Sequence, residues 1–520
     1  MQRILTVCPH CSCGCGLYVL VERGEAVGVM PSVGHPISQG RLCMKGWTSF
    51  QHLHRAERLD SPYIRQNGTL KRAGWEEALT HLVEGLGAVR SKDGGQAIGV
   101  WASGRSTDEE LFLLSRLASQ GLGTTAVRFD PSLQSLDHIP ASLVEGFRAA
   151  KFDEVQAADL LLIFGHGFPE HHPQVASRIL KAMDEGTSAV VISPYRDLLA
   201  ERAVLHLRVS SPEEVALALT EEEPPGHLRA LWDEAKWPLV IYPLKSLPPD
   251  REARLLRAFE SLLAKASAKV LLLFPRANSR GAFRWKGGGA ASEPSGLKAL
   301  LVVEEDPAAW NGNFRELVRG LDFLVVQDLF LTETAELAHV VLPAASFAEK
   351  GGTLTNTEGR QQTLRPAILP PGDARPGWAI AAEMARRLGL ADVGSTLEEI
   401  QQGLSSGQVQ AVLPAETACE SPPERFATLE HVPNRLGWMW LKDTILRHTD
   451  DWQREHQDRW VELHPEDVKT LGLRPGCMVQ VAGEGGEFQA TLRISERVGP
   501  GVLVTPHHLF EGPVHIERAK

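Results

Sequence analysis

Four cysteines near the N-terminus have the spacing of a metal–sulfur centre. Cys8, Cys11 and Cys15 stand as C-x2-C-x3-C within CPHCSCGC, and Cys43 follows after a loop in GRLCMKG. A tight turn carrying three thiolates can wrap one side of a cubane, and a remote fourth thiolate closes the other. Four thiolates are the usual ligands of a [4Fe–4S] cluster. Zinc also takes four cysteines, but a structural zinc site usually shows two C-x2-C pairs, and here the distal cysteine is single. Cys13, inside the loop, is an alternative to Cys15 as ligand. The elements that must position these thiols are also legible. Leu17, Val19 and Val21 alternate with other residues, and Arg23-Gly24 offers a turn. That pattern predicts a hairpin that carries Cys43 back toward Cys15.

With these residues in place, CPHCSCGCGL and GRLCMKG resemble the N-terminal cluster domain of the molybdopterin oxidoreductases, the Mo/W bis-pterin (DMSO reductase type) superfamily. Its members include formate dehydrogenase alpha subunits, nitrate reductases and the large iron–sulfur subunit of respiratory complex I. A second ordered match runs through Val341-Leu342-Pro343, Glu349, Gly352-Thr353, Asn356 and Glu358-Gly359-Arg360. The resemblance implies a [4Fe–4S] cluster, with Lys45 as the electron relay between cluster and pterin. It places Gly352, Thr353, Asn356 and Arg360 near a pterin. It also likens Gly165, Gly167, Glu170 and His172, followed by Pro194 and Arg196, to the segment near the guanosine part of a molybdopterin guanine dinucleotide. Glycines there would let backbone N–H groups approach a pyrophosphate. A tight strand–helix turn is the plain structural alternative.

Composition narrows the classes. The chain has 520 residues, 43% hydrophobic and 23% charged, which predicts several domains of ordinary globular type. A net charge of −11, spread along the chain, offers no footprint for nucleic acid. No apolar run reaches the length of a membrane span, and the N-terminus lacks a secretory or twin-arginine pattern. Cytoplasm is the expected location. Five of the seven cysteines precede residue 44, as one metal site in a reduced compartment would require.

Strand-like and helical patterns alternate through the middle of the chain, which predicts parallel α/β layers. Thr107 followed by Asp108, Glu109 and Glu110 reads as a capped helix start. Together with the resemblance, this gives a multidomain α/β fold. Residues 1–58 form the small [4Fe–4S] domain, and 59–125 with 325–400 form an α/β domain. Residues 126–324 form a second, Rossmann-like α/β domain, 401–424 a linker, and 425–520 a C-terminal β-barrel of double-psi type.

The stretch that carries the metal-ligating cysteine in formate dehydrogenases reads here as Gly123-Thr124-Thr125 followed by RFDPSLQSLDH. Ungapped counting puts Gln134 at the cysteine position and Ser135 at the neighbouring histidine position, and neither can do formate chemistry. Asp130 or Ser132 could bind a hard metal. Ser193 stands where the family often has an acid, and Glu304-Glu305 replaces a glycine near a phosphate loop. The expected function is therefore an iron–sulfur electron-transfer subunit resembling the large subunit of NADH:quinone oxidoreductase, without catalytic molybdenum. It would work beside flavin- or ferredoxin-type subunits. The alternative is an active Mo/W bis-pterin oxidoreductase that lacks a Cys or Sec ligand. No catalytic residue is identified by the sequence.

Overall fold

The computed structural model describes residues 1–131, 144, 147–209, 211–221, 226–244, 247, 249–265, 267–285, 296–310, 312–406, 430–433, 445, 448, 460–483, 486–505 and 514–519. The chain forms two compact units. The first comprises Met1–Gln134, Arg276–Thr417 and Thr444–Asp450; the second comprises Ser135–Pro275, Ala418–Asp443 and Asp451–Lys520.

The first unit opens with an antiparallel sheet of β1 (Gln2–Val7), β2 (Gly16–Glu22) and β3 (Glu25–Pro31). Leu17, Val19 and Val21 face the core, and Arg23 and Gly24 both take positive φ in the turn to β3. The hairpin forms as the alternation predicts. The cysteine loop joins β1 to β2, closed by a bond from the Cys8 N–H to the Cys15 carbonyl at 2.9 Å. Cys43 is the N-cap of the short helix Met44–Trp47.

β4 (Tyr63–Gln66), β5 (Thr69–Arg72), β6 (Ile98–Ala102) and β7 (Val127–Phe129) begin the large sheet of this unit, the first of the two α/β sheets. Asn67 and Gly68, both with positive φ, turn β4 into β5. The helix that follows runs from Trp75 to Asp93, burying Leu79, Leu82 and Leu86.

The second unit carries β8 (Leu160–Phe164), β9 (Ser188–Ile192), β10 (Leu205–Leu207), β11 (Pro238–Pro243) and β12 (Lys269–Leu273). All pair in parallel, in the order β10-β9-β8-β11-β12. β8 and β11 are buried along their whole length, as in a parallel sheet covered on both faces. Strand order reverses between β8 and β11, where open α/β sheets form a ligand crevice.

Back in the first unit, β13 (Ala299–Val303), β14 (Phe323–Asp328) and β15 (Val340–Pro343) complete a seven-stranded sheet ordered β5-β4-β15-β14-β13-β6-β7. The return to this sheet, expected at residue 325, comes earlier. The wholly apolar β13 lies between β6 and β14, at the reversal point of this sheet. β7 likewise belongs here and not beyond a boundary at 126. β16 (Gly352–Thr355) and β17 (Gln361–Leu364) form a hairpin. The helix Leu397–Ser405, with a capping box of Thr396 and Glu399, takes the first residues of the stretch expected as a linker from 401. The rest of that stretch, from 407, lies outside the described residues.

In the second unit, β18 (Glu430–Pro433), β19 (Trp460–Leu463), β20 (Met478–Gly483), β21 (Gly486–Ile494), β22 (Val502–Thr505) and β23 (Val514–Arg518) form a mixed six-stranded sheet. Its order is β18-β22-β19-β21-β20-β23, around a core that includes Val461, Leu463, Val479, Val481 and Leu492. Among the described residues, no helix is long and apolar enough to cross a membrane.

Candidate cluster and pterin sites

The cysteine loop places free thiols in the interior. Cys8, Cys11, Cys13 and Cys15 are buried and Cys43 is partly so. Cys8 lies within electrostatic reach of Cys43 and Cys11, and Cys43 within reach of Cys11. Burial first, then these neighbours, pushes the Cys8 thiol up; burial also raises Cys43. Lys45, itself buried at 2% exposure, favours the thiolate of Cys8, Cys11, Cys13 and Cys43 alike. Backbone N–H groups reach the sulfurs: that of His10 to Cys8, that of Cys13 to Cys11, and those of Lys45 and Gly46 to Cys43. The Cys13 side chain hydrogen-bonds Cys11 and brings the Cys11 thiol down to about 6. The same contact, with burial, holds Cys13 well up. Buried thiols with N–H donors and one ammonium fit an anionic metal–sulfur cluster, in which each iron takes one protein sulfur. Among the described residues, no three Cys, His or carboxylate side chains converge on a single-ion position.

The β16–β17 hairpin meets this loop from within the same unit. Asn356 Nδ2 donates to the Cys13 carbonyl at 3.2 Å and Gln362 Nε2 to the Gly14 carbonyl at 2.8 Å. Ser12 and Thr357 share a hydroxyl bond at 2.7 Å. On the other side, the Thr353 N–H donates to Glu109 at 2.8 Å and the Thr355 N–H to Asn278 at 2.6 Å. Asp108 accepts from Thr355 at 2.9 Å and from Asn278 at 3.0 Å. Burial raises the Asp108 carboxyl in spite of these donors. Arg360 Nε pairs with Glu358 at 2.7 Å. Of the four hairpin residues likened to pterin contacts, Thr353 thus bonds Glu109, Asn356 bonds the cysteine loop, and Gly352 packs against Thr107 and Glu109.

The reversal point of the first sheet is lined by charge. Ser103 follows β6 and Glu304 follows β13, and the Ser103 N–H donates to the Val303 carbonyl at 2.9 Å. Glu304 has φ +54, a left-handed conformation that costs a non-glycine residue about 1 kcal/mol. The glycine missing from the sequence here is thus missing from a turn that retains a glycine-like backbone. Lys350 Nζ donates to Glu304 at 3.0 Å and to Glu110 at 2.8 Å. Burial alone would discharge Lys350, but the two carboxylates outweigh it and hold the ammonium above its ordinary range. Burial, opposed by Lys350 and reinforced by Glu304, raises Glu110. Arg276 pairs with Glu305 and lies 3.8 Å from Asp130. Asp130, read as a hard-metal ligand, instead accepts from Ser279. Ser132, Gln134 and Ser135 lie outside the described residues.

In the second unit, Gly165 and Gly167 follow β8 with φ +99 and +75. The Gly167 N–H donates to Asp197 at 3.1 Å, and Asp197 also caps the helix Leu198–Arg202. His172 Nε2 bonds the Phe274 carbonyl at 2.8 Å. Glu170 and Pro194 are partly exposed and Arg196 exposed, with the Arg196 N–H bonded to the Arg497 carbonyl at 2.8 Å.

With this geometry in hand, comparison with known proteins is direct. Residues 58–387 match the molybdopterin oxidoreductase family, residues 1–55 its Fe4S4 domain and residues 440–517 the molybdopterin dinucleotide binding domain. The chain belongs to the molybdopterin oxidoreductase family, and both the Fe4S4 domain and the dinucleotide binding domain are present. Among its relatives is the F420-dependent formate dehydrogenase subunit alpha of Methanocaldococcus jannaschii, 26% identical, with 97% of this chain and 94% of that one aligned. Another is the assimilatory nitrate reductase catalytic subunit of Bacillus subtilis, 22% identical over 97% and 92%. The fold is that of acetylene hydratase from Pelobacter acetylenicus, with a TM-score of 0.67, 16% identity and coverage of 97% and 93%.

Several residues escaped sequence reading. Lys350, Asn278 and Gln362 carry no spacing signal of their own, because their partners are remote in sequence, whereas Asp197 is marked locally only as the N-cap of the helix Leu198–Arg202. Glu109 and Glu110 open the capped helix as expected, and their burial at 0% and 1% exposure makes them internal acceptors as well.

Proposed function

We propose that this chain is the iron–sulfur electron-transfer subunit of a multi-subunit redox complex, without catalytic molybdenum. Cys8, Cys11, Cys15 and Cys43 hold the cluster, which when bound supplies one-electron chemistry. Lys45 offsets the thiolate charge, and the N–H groups of His10, Cys13, Lys45 and Gly46 orient the sulfurs.

The observation that carries this reading is the filled reversal point of the first sheet. Glu304, Glu305 and Asp130 are buried there, and Lys350 and Arg276 already face them. A pyrophosphate would bring further negative charge beside buried carboxylates, which repel it strongly at low dielectric. A carrier with one cluster needs a donor and an acceptor, so flavin- or ferredoxin-type partners are expected. The name of a relative as an alpha subunit supports the same arrangement. Reduced thiols fit a cytoplasmic location.

A second reading, an active Mo/W bis-pterin oxidoreductase without a Cys or Sec ligand, is favoured by one feature. The second unit keeps Gly165 and Gly167 in backbone conformations that open the turn after β8. Formate added anaerobically with a viologen dye separates the two. The dye is expected to stay oxidised; formate-dependent reduction that scales with bound molybdenum would contradict the proposal.

A further inference from the structure

We propose that the β16–β17 hairpin is the positioning device of the cluster. In this account Asn356, Thr357 and Gln362 hold residues 12–14 so that Cys13 presents its N–H and its thiol to the Cys11 sulfur. As a cluster ligand that sulfur carries no proton and can only accept, and this contact tunes the cluster's reduction potential. The proposal rests on the cluster reading above and assigns Cys13 a role other than ligation.

Three consecutive carbonyls of the loop are held by the hairpin. The Thr357 N–H donates to Ser12 at 2.9 Å, Asn356 Nδ2 to Cys13 at 3.2 Å and Gln362 Nε2 to Gly14 at 2.8 Å. Among the described residues no peptide is cis, and in a trans peptide the C=O and N–H point in opposite directions. With the Ser12 carbonyl fixed on the hairpin, the Cys13 N–H must point away from it, and it reaches the Cys11 sulfur. The approach is close. Gly14 has φ +69, and a Cβ there would stand 2.0 Å from Gln362 Oε1 and 3.0 Å from Asn356 Cβ. Only glycine allows this contact. Asn356 is itself oriented: its Oδ1 accepts from the Arg360 N–H at 2.9 Å, which leaves Nδ2 aimed at the loop. Asn356 and Cys13 are both fully buried, at 0% exposure.

The sign follows from charge. Reduction makes the cluster more negative, so donors to its sulfurs stabilise the reduced state and raise the potential. Removing a donor, or freeing the loop that aims it, lowers the potential.

The test is an EPR-monitored redox titration of the anaerobically purified full chain, with iron and sulfide counted in the same samples. Cys13→Ala, Asn356→Ala and Gln362→Ala are expected to keep a full cluster and to shift its midpoint potential to more negative values. Gln361→Ala serves as the control: Gln361 is on the same hairpin but bonds Asp108 and Thr353, so the potential should stay at the wild-type value. An unchanged potential in Cys13→Ala and Asn356→Ala with full iron overturns the proposal, as does an equal shift in Gln361→Ala. Should Asn356→Ala lose iron, the shift in Cys13→Ala decides. A wild-type chain that binds no cluster at all would overturn the ligand reading, and this proposal with it.

Discussion

The two α/β sheets reverse strand order at turns that differ in kind. After β8, Gly165 and Gly167 keep positive φ, with the Gly167 N–H engaged by Asp197. After β13, the turn has the same left-handed backbone at Glu304, but the residue is an acid tied to Lys350. One crevice retains the backbone geometry that anion binding uses; the other has been filled with ion pairs. In the proposed reading, one of the two ligand positions has become structural while the topology is kept.

The largest expected effect breaks the filled side. Lys350→Met leaves Glu110 and Glu304 buried without their ammonium, which should cost about 3–5 kcal/mol in denaturant unfolding. Adding Glu110→Gln and Glu304→Gln should recover most of that loss. A Lys350→Met protein as stable as the wild type would show that these groups are not the closure described.

A smaller effect probes the open side. Gly167→Ala forces a left-handed alanine whose Cβ stands 3.0 Å from the His171 ring, so a loss of about 1–2 kcal/mol is expected in thermal unfolding. If the alanine is neutral, the turn after β8 does not need glycine, and the contrast with Glu304 fails.

What was legible in the sequence follows from where the signals lie. The cysteine spacing, the β2 alternation and the Thr107 cap are local, and the structure reproduces the elements they predict. Glu349 was part of the matched segment for a reason visible only in the fold: it takes both Arg58 nitrogens, at 3.0 and 2.8 Å. The misplaced domain boundary has a similar cause. β13 is an apolar run like those of the second unit, and only its pairing with β6 and β14 assigns it to the first sheet. The pairing of Glu304 with Lys350 joins residues 46 positions apart, and no periodicity marks it.

The smallest effect is a pH dependence. Burial first, then Arg58, holds the His52 imidazole well below its ordinary 6.5, so the folded chain keeps it neutral. The unfolded chain takes up that proton as the pH falls below about 6.5. The stability from His52 is therefore whole above this value and is lost as the pH falls through the lower, folded-state value. His206 in the second unit is depressed in the same direction, by burial first, but is only half-buried. Unfolding followed from neutral to mildly acid pH should thus flatten more for His52→Asn than for His206→Asn; equal slopes would remove the distinction.

Metal analysis decides whether the chain is an iron–sulfur carrier without catalytic molybdenum. Anaerobically purified protein should contain about four irons and about four acid-labile sulfides per chain, the composition of the cluster, with no stoichiometric molybdenum or tungsten. Stoichiometric molybdenum or tungsten together with guanine nucleotide, or zinc in place of iron, would contradict it.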